Sequence, residues 1–197
     1  MEDLAVDACC LINLLAAGSI LPAPPPSSTR RKTPKPKQGH HALQAALHVP
    51  AAVAQETYYL FQPDKDDQLK LVKVPVDLGP SFKSGVLMPC DVEGEEETRL
   101  FVQFAARLDD GEAACLAIAK NRGWTLATDN RLATNLAGRF RVSVVTTAEL
   151  VKEWAKKRRA NKAEIASTLS NIQTFGKFIP RPSSPEASWW YSHVAEK

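Results

Sequence analysis

The 197-residue sequence lacks the features that define several protein classes. Its four cysteines contain no C-x-x-C pair, so neither a cysteine-based metal ribbon nor a dithiol redox motif is indicated. The composition, with 44% hydrophobic and 24% charged residues, excludes a disordered chain, a collagen-like chain and a disulfide scaffold. What remains is about one globular domain, at roughly 150 residues per domain, with free thiols buried in a reducing compartment.

No hydrophobic run reaches the roughly 20 residues that a membrane span needs. The run LINLLAAGSIL at residues 11–21 follows a stretch with three acids and no Lys or Arg, the reverse of the charge that precedes a signal-peptide core. We therefore expect a cytoplasmic protein without a membrane partner. The motifs G-x-x-x-x-G-K, G-x-G-x-x-G and G-x-S-x-G are also missing, which removes support for nucleotide-triphosphatase, dinucleotide-binding and serine-hydrolase functions.

The net charge of +3 is too small to indicate a nucleic-acid partner, so the distribution of charge is more informative. Residues 22–42 form a basic, proline-rich insertion that we expect to be poorly ordered. Arg30, Arg31 and Lys32 in this insertion are candidate RNA contacts, and residues 152–162 hold a second basic cluster. The alternative for both regions is a solvated linker and a solvated helix face.

Short apolar segments alternate with helical patterns along the chain. Strands are predicted at residues 4–6, 124–128 and 141–145, and helices are predicted after the first and the last of them. This order favours a three-layer α/β/α fold with a central, mostly parallel sheet, in which ligands bind at the carboxyl ends of the strands. We predict a domain over residues 1–160 and a helical or irregular C-terminal extension over residues 161–197.

Four acids lie at the ends of these predicted elements. Asp7 follows the first strand, Glu112 lies in the first turn of an apolar helix, and Asp129 follows a later strand. Glu56 lies on the apolar face of a helix predicted over residues 51–61. Taken singly, each has an ordinary alternative: an N-cap, a contact with a helix dipole, a turn residue or a rim position. Asp110 is expected to cap the Glu112 helix. Together the four acids predict a site for a hard cation such as Mg²⁺ or Mn²⁺.

Four segments, in order, resemble the PIN-domain nucleases, a family that includes VapC-type bacterial toxins. They are VDACCLINLL at residues 6–15, VPAAVAQETYYL at 49–60, LDDGEAACLAIA at 108–119 and TLATDNRLA at 125–133. The resemblance implies Mg²⁺- or Mn²⁺-dependent cleavage of single-stranded RNA that leaves a 5′-phosphate. It also implies that Asp7, Glu56 and Glu112 are catalytic metal ligands, that Thr128 and Arg131 contact nucleic acid, and that an antitoxin protein and a homodimer are possible partners.

The fourth ligand is ambiguous because the family often has Thr, any residue, Asp, Arg, whereas this chain has Thr128-Asp129-Asn130-Arg131. The family register favours Asn130, and charge favours Asp129, which we expect to be the ligand and a catalytic residue. Only one of two neighbouring side chains usually faces a site at a strand end. The retained acids favour an active ribonuclease, whereas Asn130 favours the alternative of a PIN-like module that binds RNA or a protein without catalysis.

Overall fold

The computed structural model describes residues 2–21, 43, 45–56 and 58–194. The predicted proline-rich insertion at residues 22–42, with the candidate RNA contacts Arg30, Arg31 and Lys32, lies outside the described residues.

Five parallel strands form a central sheet, and two more strands form a separate hairpin. The strands are β1 (Glu2–Val6), β2 (Ala45–Pro50), β3 (Tyr59–Pro63), β4 (Leu71–Pro75), β5 (Met88–Cys90), β6 (Thr125–Ala127) and β7 (Val144–Val145). The central sheet has the order β5-β2-β1-β6-β7, and every neighbouring pair in it is parallel.

Helices flank this sheet, which confirms the predicted α/β/α architecture. They are α1 (Ala8–Ala17), α2 (Ala51–Ala54), α3 (Gly79–Lys83), α4 (Gly94–Ala105), α5 (Asp110–Arg122), α6 (Arg131–Arg139), α7 (Thr147–Arg158), α8 (Lys162–Asn171) and α9 (Ala187–Val194), with a π-helical turn at Ile172–Gly176.

The core lies along β1 and the helix α5. Leu4, Ala5 and Val6 of β1 are almost completely buried, as expected for a central parallel strand covered on both faces. Residues 113–119 of α5 are also buried, and this helix contacts β1, β2 and β6. The helix α5 is therefore apolar on all faces because it is buried on all faces. This packing holds its first turn in place beside the sheet.

The helix predicted over residues 51–61 is wrong beyond its first turn. The helix α2 ends at Ala54, and residues 59–63 form β3, which pairs with β4 in an antiparallel hairpin. The run Tyr-Leu-Phe has high strand propensity, and pairing with β4 satisfies its backbone in a way that the local helical pattern did not reveal. The partly alternating run LKLVKVPV at residues 69–76 predicts an edge strand, and β4 confirms it over residues 71–75.

The C-terminal segment packs on the rest of the molecule. The helix α8 and the π-helical turn contact α1, and Leu169, Ile172 and Trp190 belong to the same hydrophobic cluster as the sheet. In the described part of the chain, no helix combines the length and the apolar character needed to cross a bilayer.

Candidate metal centre

The predicted site residues lie at the carboxyl edge of the central sheet. Asp7 follows β1, Thr128 follows β6, and Glu56 follows the short helix after β2. Because β1 pairs with β2 on one side and with β6 on the other, this edge is where a doubly wound parallel sheet opens a crevice for ligands.

Asp7 is the most buried acid at this edge, with 2% of its surface exposed. Its carboxylate accepts hydrogen bonds from the backbone N–H of Ala8 (2.6 Å), from Thr128 Oγ1 (2.7 Å) and from Cys9 Sγ (3.0 Å). The N-cap interpretation of Asp7 is therefore confirmed. Burial raises the pKa of Asp7 despite these three donors, and the nearby Asp109 raises it further. A charge buried in this way favours a cation beside it.

Glu112 lies in the first turn of α5 and is half-buried. Its Oε1 accepts a short hydrogen bond from Asn130 Nδ2. Burial, together with the charges of Asp109 and Asp7, raises the pKa of Glu112 to about 7. At neutral pH this carboxyl therefore holds a proton in a large fraction of the molecules, unless a cation replaces that proton.

Glu56 reaches the same helix end from the bend after α2. A Cβ at Gly111 would lie 2.6 Å from Glu56 Oε1, so glycine at this position gives the carboxylate the space to approach the first turn of α5. Partial burial raises the pKa of Glu56, and the charges of Asp109 and Asp7 add to the effect. Glu56 was expected on a helix face, but it reaches the cluster from an exposed bend.

Asp109 is a further acid of this cluster, and sequence reasoning missed its role. It caps α5 by accepting from the backbone N–H of Glu112 (2.8 Å), so the expectation that Asp110 is the cap is wrong. The charge of Asp109 raises the pKa values of Asp7, Glu56 and Glu112. The spacing of Asp109 and Glu112 is that of an N-cap and the third helical residue, a signal that was available in the sequence.

Asp129, the expected fourth ligand, is hydrogen-bonded to residues of α1 and α7 and not to the acids of this cluster. Its carboxylate accepts from the backbone N–H of Thr147 (2.9 Å), from Thr147 Oγ1 and from Asn13 Nδ2 (3.1 Å). These donors draw it toward the start of α7. Asn130 instead donates to Glu112, while its own carbonyl oxygen caps α6 by accepting from Leu132 (2.7 Å). Asn130 is therefore the neighbour of the acidic cluster.

The two residues expected to contact nucleic acid differ in their accessibility. Thr128 is completely buried, and its hydroxyl donates to Asp7, so its place is within the site and not on an RNA-facing surface. This corrects the expectation of a direct RNA contact. Arg131 is exposed at the start of α6, beside Asn130.

Asp7, Glu56, Glu112 and Asp109, called the acidic cluster below, form no ion pair with a Lys or Arg among the described residues. Their oxygens are the ligands that Mg²⁺ and Mn²⁺ prefer, and their mutual repulsion is relieved by a cation. The chemistry of these donors therefore suits a hard divalent ion, but among the described residues no three of them place a ligand oxygen within 4.8 Å of one another.

A second group of potential ligand atoms lies behind the acidic cluster. Cys9, Cys10 and Asp129 each place one such atom within 4.8 Å of the others. Burial raises the pKa of the Cys10 thiol well above its ordinary value, which favours the protonated form over a thiolate ligand. In ligand type, the carboxylates of the acidic cluster therefore match a hard cation better than these thiols do.

Comparison with known proteins gives one match. A family model described as a PIN domain matches residues 40–184, about three quarters of the chain. Comparisons with curated proteins and with solved structures give no match.

Proposed function

We propose that this chain, which belongs to the PIN-domain family, is a divalent-metal-dependent endoribonuclease that hydrolyses phosphodiester bonds of single-stranded RNA. The observation that supports the proposal is the mutual influence of three carboxylates: besides burial, the charge of Asp7 raises the pKa values of Glu56 and Glu112, and Glu56 Oε1 lies beside Gly111 in the first turn of α5. None of the three is paired with a Lys or Arg in the described part of the chain. The proposed product is an RNA end with a 5′-phosphate.

Asp7, Glu56 and Glu112 would hold the Mg²⁺ or Mn²⁺ ion. Such an ion, when bound, supplies a water of lowered pKa and neutralises charge on the phosphate. The protein contributes orientation: the Thr128 hydroxyl fixes Asp7, and the Asn130 amide fixes Glu112. Both supporting side chains follow β6, so the rigid sheet sets the relative positions of the ligands.

Proton release should accompany metal binding. The pKa of Glu112 is raised to about 7, so the metal-free protein carries a proton there near neutral pH. A cation that binds this carboxylate must displace the proton, and metal affinity therefore rises with pH through this range.

The biological setting is also part of the proposal. The family resemblance favours the toxin of a toxin–antitoxin pair that acts on cytoplasmic RNA, with an antitoxin protein and a second copy of this chain as partners. A small adjacent gene whose product binds this chain and blocks RNA cleavage would support the toxin role. Cleavage that no neighbouring gene product inhibits would favour a ribonuclease outside such a pair.

One observation favours a second function, a PIN-domain module that binds RNA or a protein without cleaving RNA. Asn130 lies beside Glu112, so an amide occupies the position where the family often has an acid. Asn130→Asp separates the two functions. It should increase cleavage if the site is active, and it should leave cleavage absent if further ligands have been lost.

The direct test is hydrolysis of a labelled single-stranded RNA with Mg²⁺ or Mn²⁺, comparing the wild type with Asp7→Asn. We expect cleavage that EDTA abolishes and that the substitution lowers by at least about 100-fold. Asp110→Asn is the matched control because it removes a charge from the same helix end, outside the acidic cluster, and it should leave cleavage unchanged. Equal cleavage by the wild type and Asp7→Asn would refute the proposal.

A further inference from the structure

A cavity of about 460 Å³ has in its lining Asp129 and Arg131, the two residues that flank Asn130. Its walls come from the starts of α6 and α7 and from residues 178–184 of the C-terminal segment. Arg131, at the start of α6, and Arg181, in the C-terminal segment, both line it. The neighbouring Asn130 links the cavity to the cluster, since its side chain bonds to Glu112.

The C-terminal wall of this cavity is held in place by α9. The Tyr191 hydroxyl donates to the carbonyl oxygen of Pro180 (2.9 Å), and Phe178 packs edge-on against Trp190 with 5.7 Å between the ring centroids. Trp190 itself is completely buried. The backbone N–H of Ser184 donates to the carbonyl oxygen of Arg181 (2.9 Å), which closes the segment into a turn. The backbone of Arg181 is therefore held in place, and its side chain is exposed.

The lining of the cavity is mostly apolar, and its charged donors are the two arginines. Neither Arg131 nor Arg181 forms an ion pair with any described residue. The buried Oγ of Ser184 also has no hydrogen-bond partner in that part of the chain. Most of the N–H groups at the starts of α6 and α7 are not free donors, because Asn130 caps α6 and Asp129 and Thr146 cap α7. Two guanidinium groups and a hydroxyl without a partner therefore remain as the main donors for an anion with several oxygens.

Asp129 also lines the cavity and brings a negative charge. Both of its carboxylate oxygens accept hydrogen bonds, from the backbone N–H and hydroxyl of Thr147 and from Asn13. These neutral donors hold the carboxylate in place without removing its charge. Two arginines and one carboxylate therefore leave the lining with a net positive charge.

We propose that this cavity binds a phosphate group of the RNA strand next to the one being cleaved. The inference rests on the proposed function, because it assigns the occupant from the neighbouring site. The acidic cluster itself repels the polyanionic backbone, so a substrate needs a separate cationic contact nearby. Arg181 would supply that contact from a segment distant in the sequence, and bidentate hydrogen bonding to phosphate oxygens would set the strand register.

The test is binding of a fluorescently labelled single-stranded RNA in EDTA at about 50 mM salt, followed by anisotropy. Arg181→Ala should weaken binding by about 10-fold. It should also reduce the slope of log affinity against log salt concentration by about 1, the value for one lost phosphate contact. Arg181→Lys should recover only part of this loss, because lysine keeps the charge without the planar fork. Arg139→Ala, at the exposed far end of α6, is the matched control and should change binding by less than about twofold.

Equal binding by Arg181→Ala and Arg139→Ala would overturn the inference, as would a wild-type chain that binds no RNA in EDTA. Thermal shift with inorganic phosphate distinguishes a site for an RNA phosphate from a site for a free anion. If Arg181→Ala weakens phosphate binding but not RNA binding, the cavity takes a free anion and the inference fails. Loss of RNA binding in Arg181→Ala would support it even if the wild type cleaved no RNA, so this test and the cleavage test fail independently.

Discussion

Replacing Glu112 with Gln should stabilise the metal-free protein while removing its capacity for metal. The pKa of Glu112 is raised from an ordinary 4.5 to about 7 by burial and by Asp109 and Asp7, so its ionised form destabilises the folded state. A pKa rise of that size lowers the free energy of unfolding by about 3 kcal/mol at a pH well above 7. Since the side chain is half-buried and solvent screens part of the repulsion, we expect about 1–2 kcal/mol.

Glutamine preserves the local packing, because its carbonyl oxygen still accepts from the Asn130 amide. The sign of the pH dependence follows from the raised pKa. The penalty of the charge is present above pH 7, shrinks between pH 7 and 4.5, and is absent below that range. In EDTA, Glu112→Gln should therefore unfold roughly 2–8 °C higher than the wild type at pH 8.5, and at nearly the same temperature at pH 4.

The assay is thermal unfolding of both proteins across this pH range, with and without Mn²⁺. Mn²⁺ should stabilise the wild type at pH 8.5 and have little effect on Glu112→Gln. Asp110→Asn is the matched control and should follow the wild type in both conditions. A Glu112→Gln protein less stable than the wild type at pH 8.5, or a stability difference that does not narrow toward pH 4, would refute the reasoning.

Three further substitutions test the supporting contacts. Thr128→Val keeps the shape of the side chain but removes the hydroxyl that donates to Asp7. It should lower the Mn²⁺ affinity measured by calorimetry by about 10-fold, because loss of a hydrogen bond to a metal ligand has effects of this size. Gly111→Ala should displace the Glu56 carboxylate, whose Oε1 would lie 2.6 Å from the new Cβ, and should reduce RNA cleavage while circular dichroism shows an unchanged fold. Glu97→Gln should lower the free energy of unfolding in urea by about 2 kcal/mol at pH 7, because the Arg122 partner lowers the pKa of this buried carboxyl to about 2. This loss of stability should shrink as the pH falls from 4.5 toward 2. An equal loss at pH 7 and pH 3 would contradict the prediction.

Local signals in the sequence predicted several elements correctly. The spacing of Thr146 and Glu149 predicts a capping box, and both of its hydrogen bonds are present at the start of α7. The strand β4 and the N-cap role of Asp7 are likewise confirmed. Each of these features depends on residues within a few positions of one another, which is the range over which propensity and capping are decisive.

The features that were missed depend on long-range contacts. The direction of Asp129 is set by Thr147, 18 residues later, and by Asn13, 116 residues earlier. The end of α2 is set by pairing of β3 with β4. Residue spacing within either segment therefore predicts neither the direction of Asp129 nor the end of α2. The approach of Glu56 to α5 depends in the same way on the absence of a side chain at Gly111, which only the folded chain brings close.

Binding of Mn²⁺, measured from the electron paramagnetic resonance signal of the free ion, tests most directly whether the acidic cluster is the metal centre. The comparison is between the wild type, Asp7→Asn and Asp129→Asn at pH 8, each checked for an unchanged fold. We predict saturable binding by the wild type, a loss of at least about 10-fold in affinity for Asp7→Asn, and a much smaller loss for Asp129→Asn, whose carboxylate faces α7. Unchanged affinity in Asp7→Asn, with binding abolished in Asp129→Asn, would contradict the account and place the ion with Cys9, Cys10 and Asp129 instead.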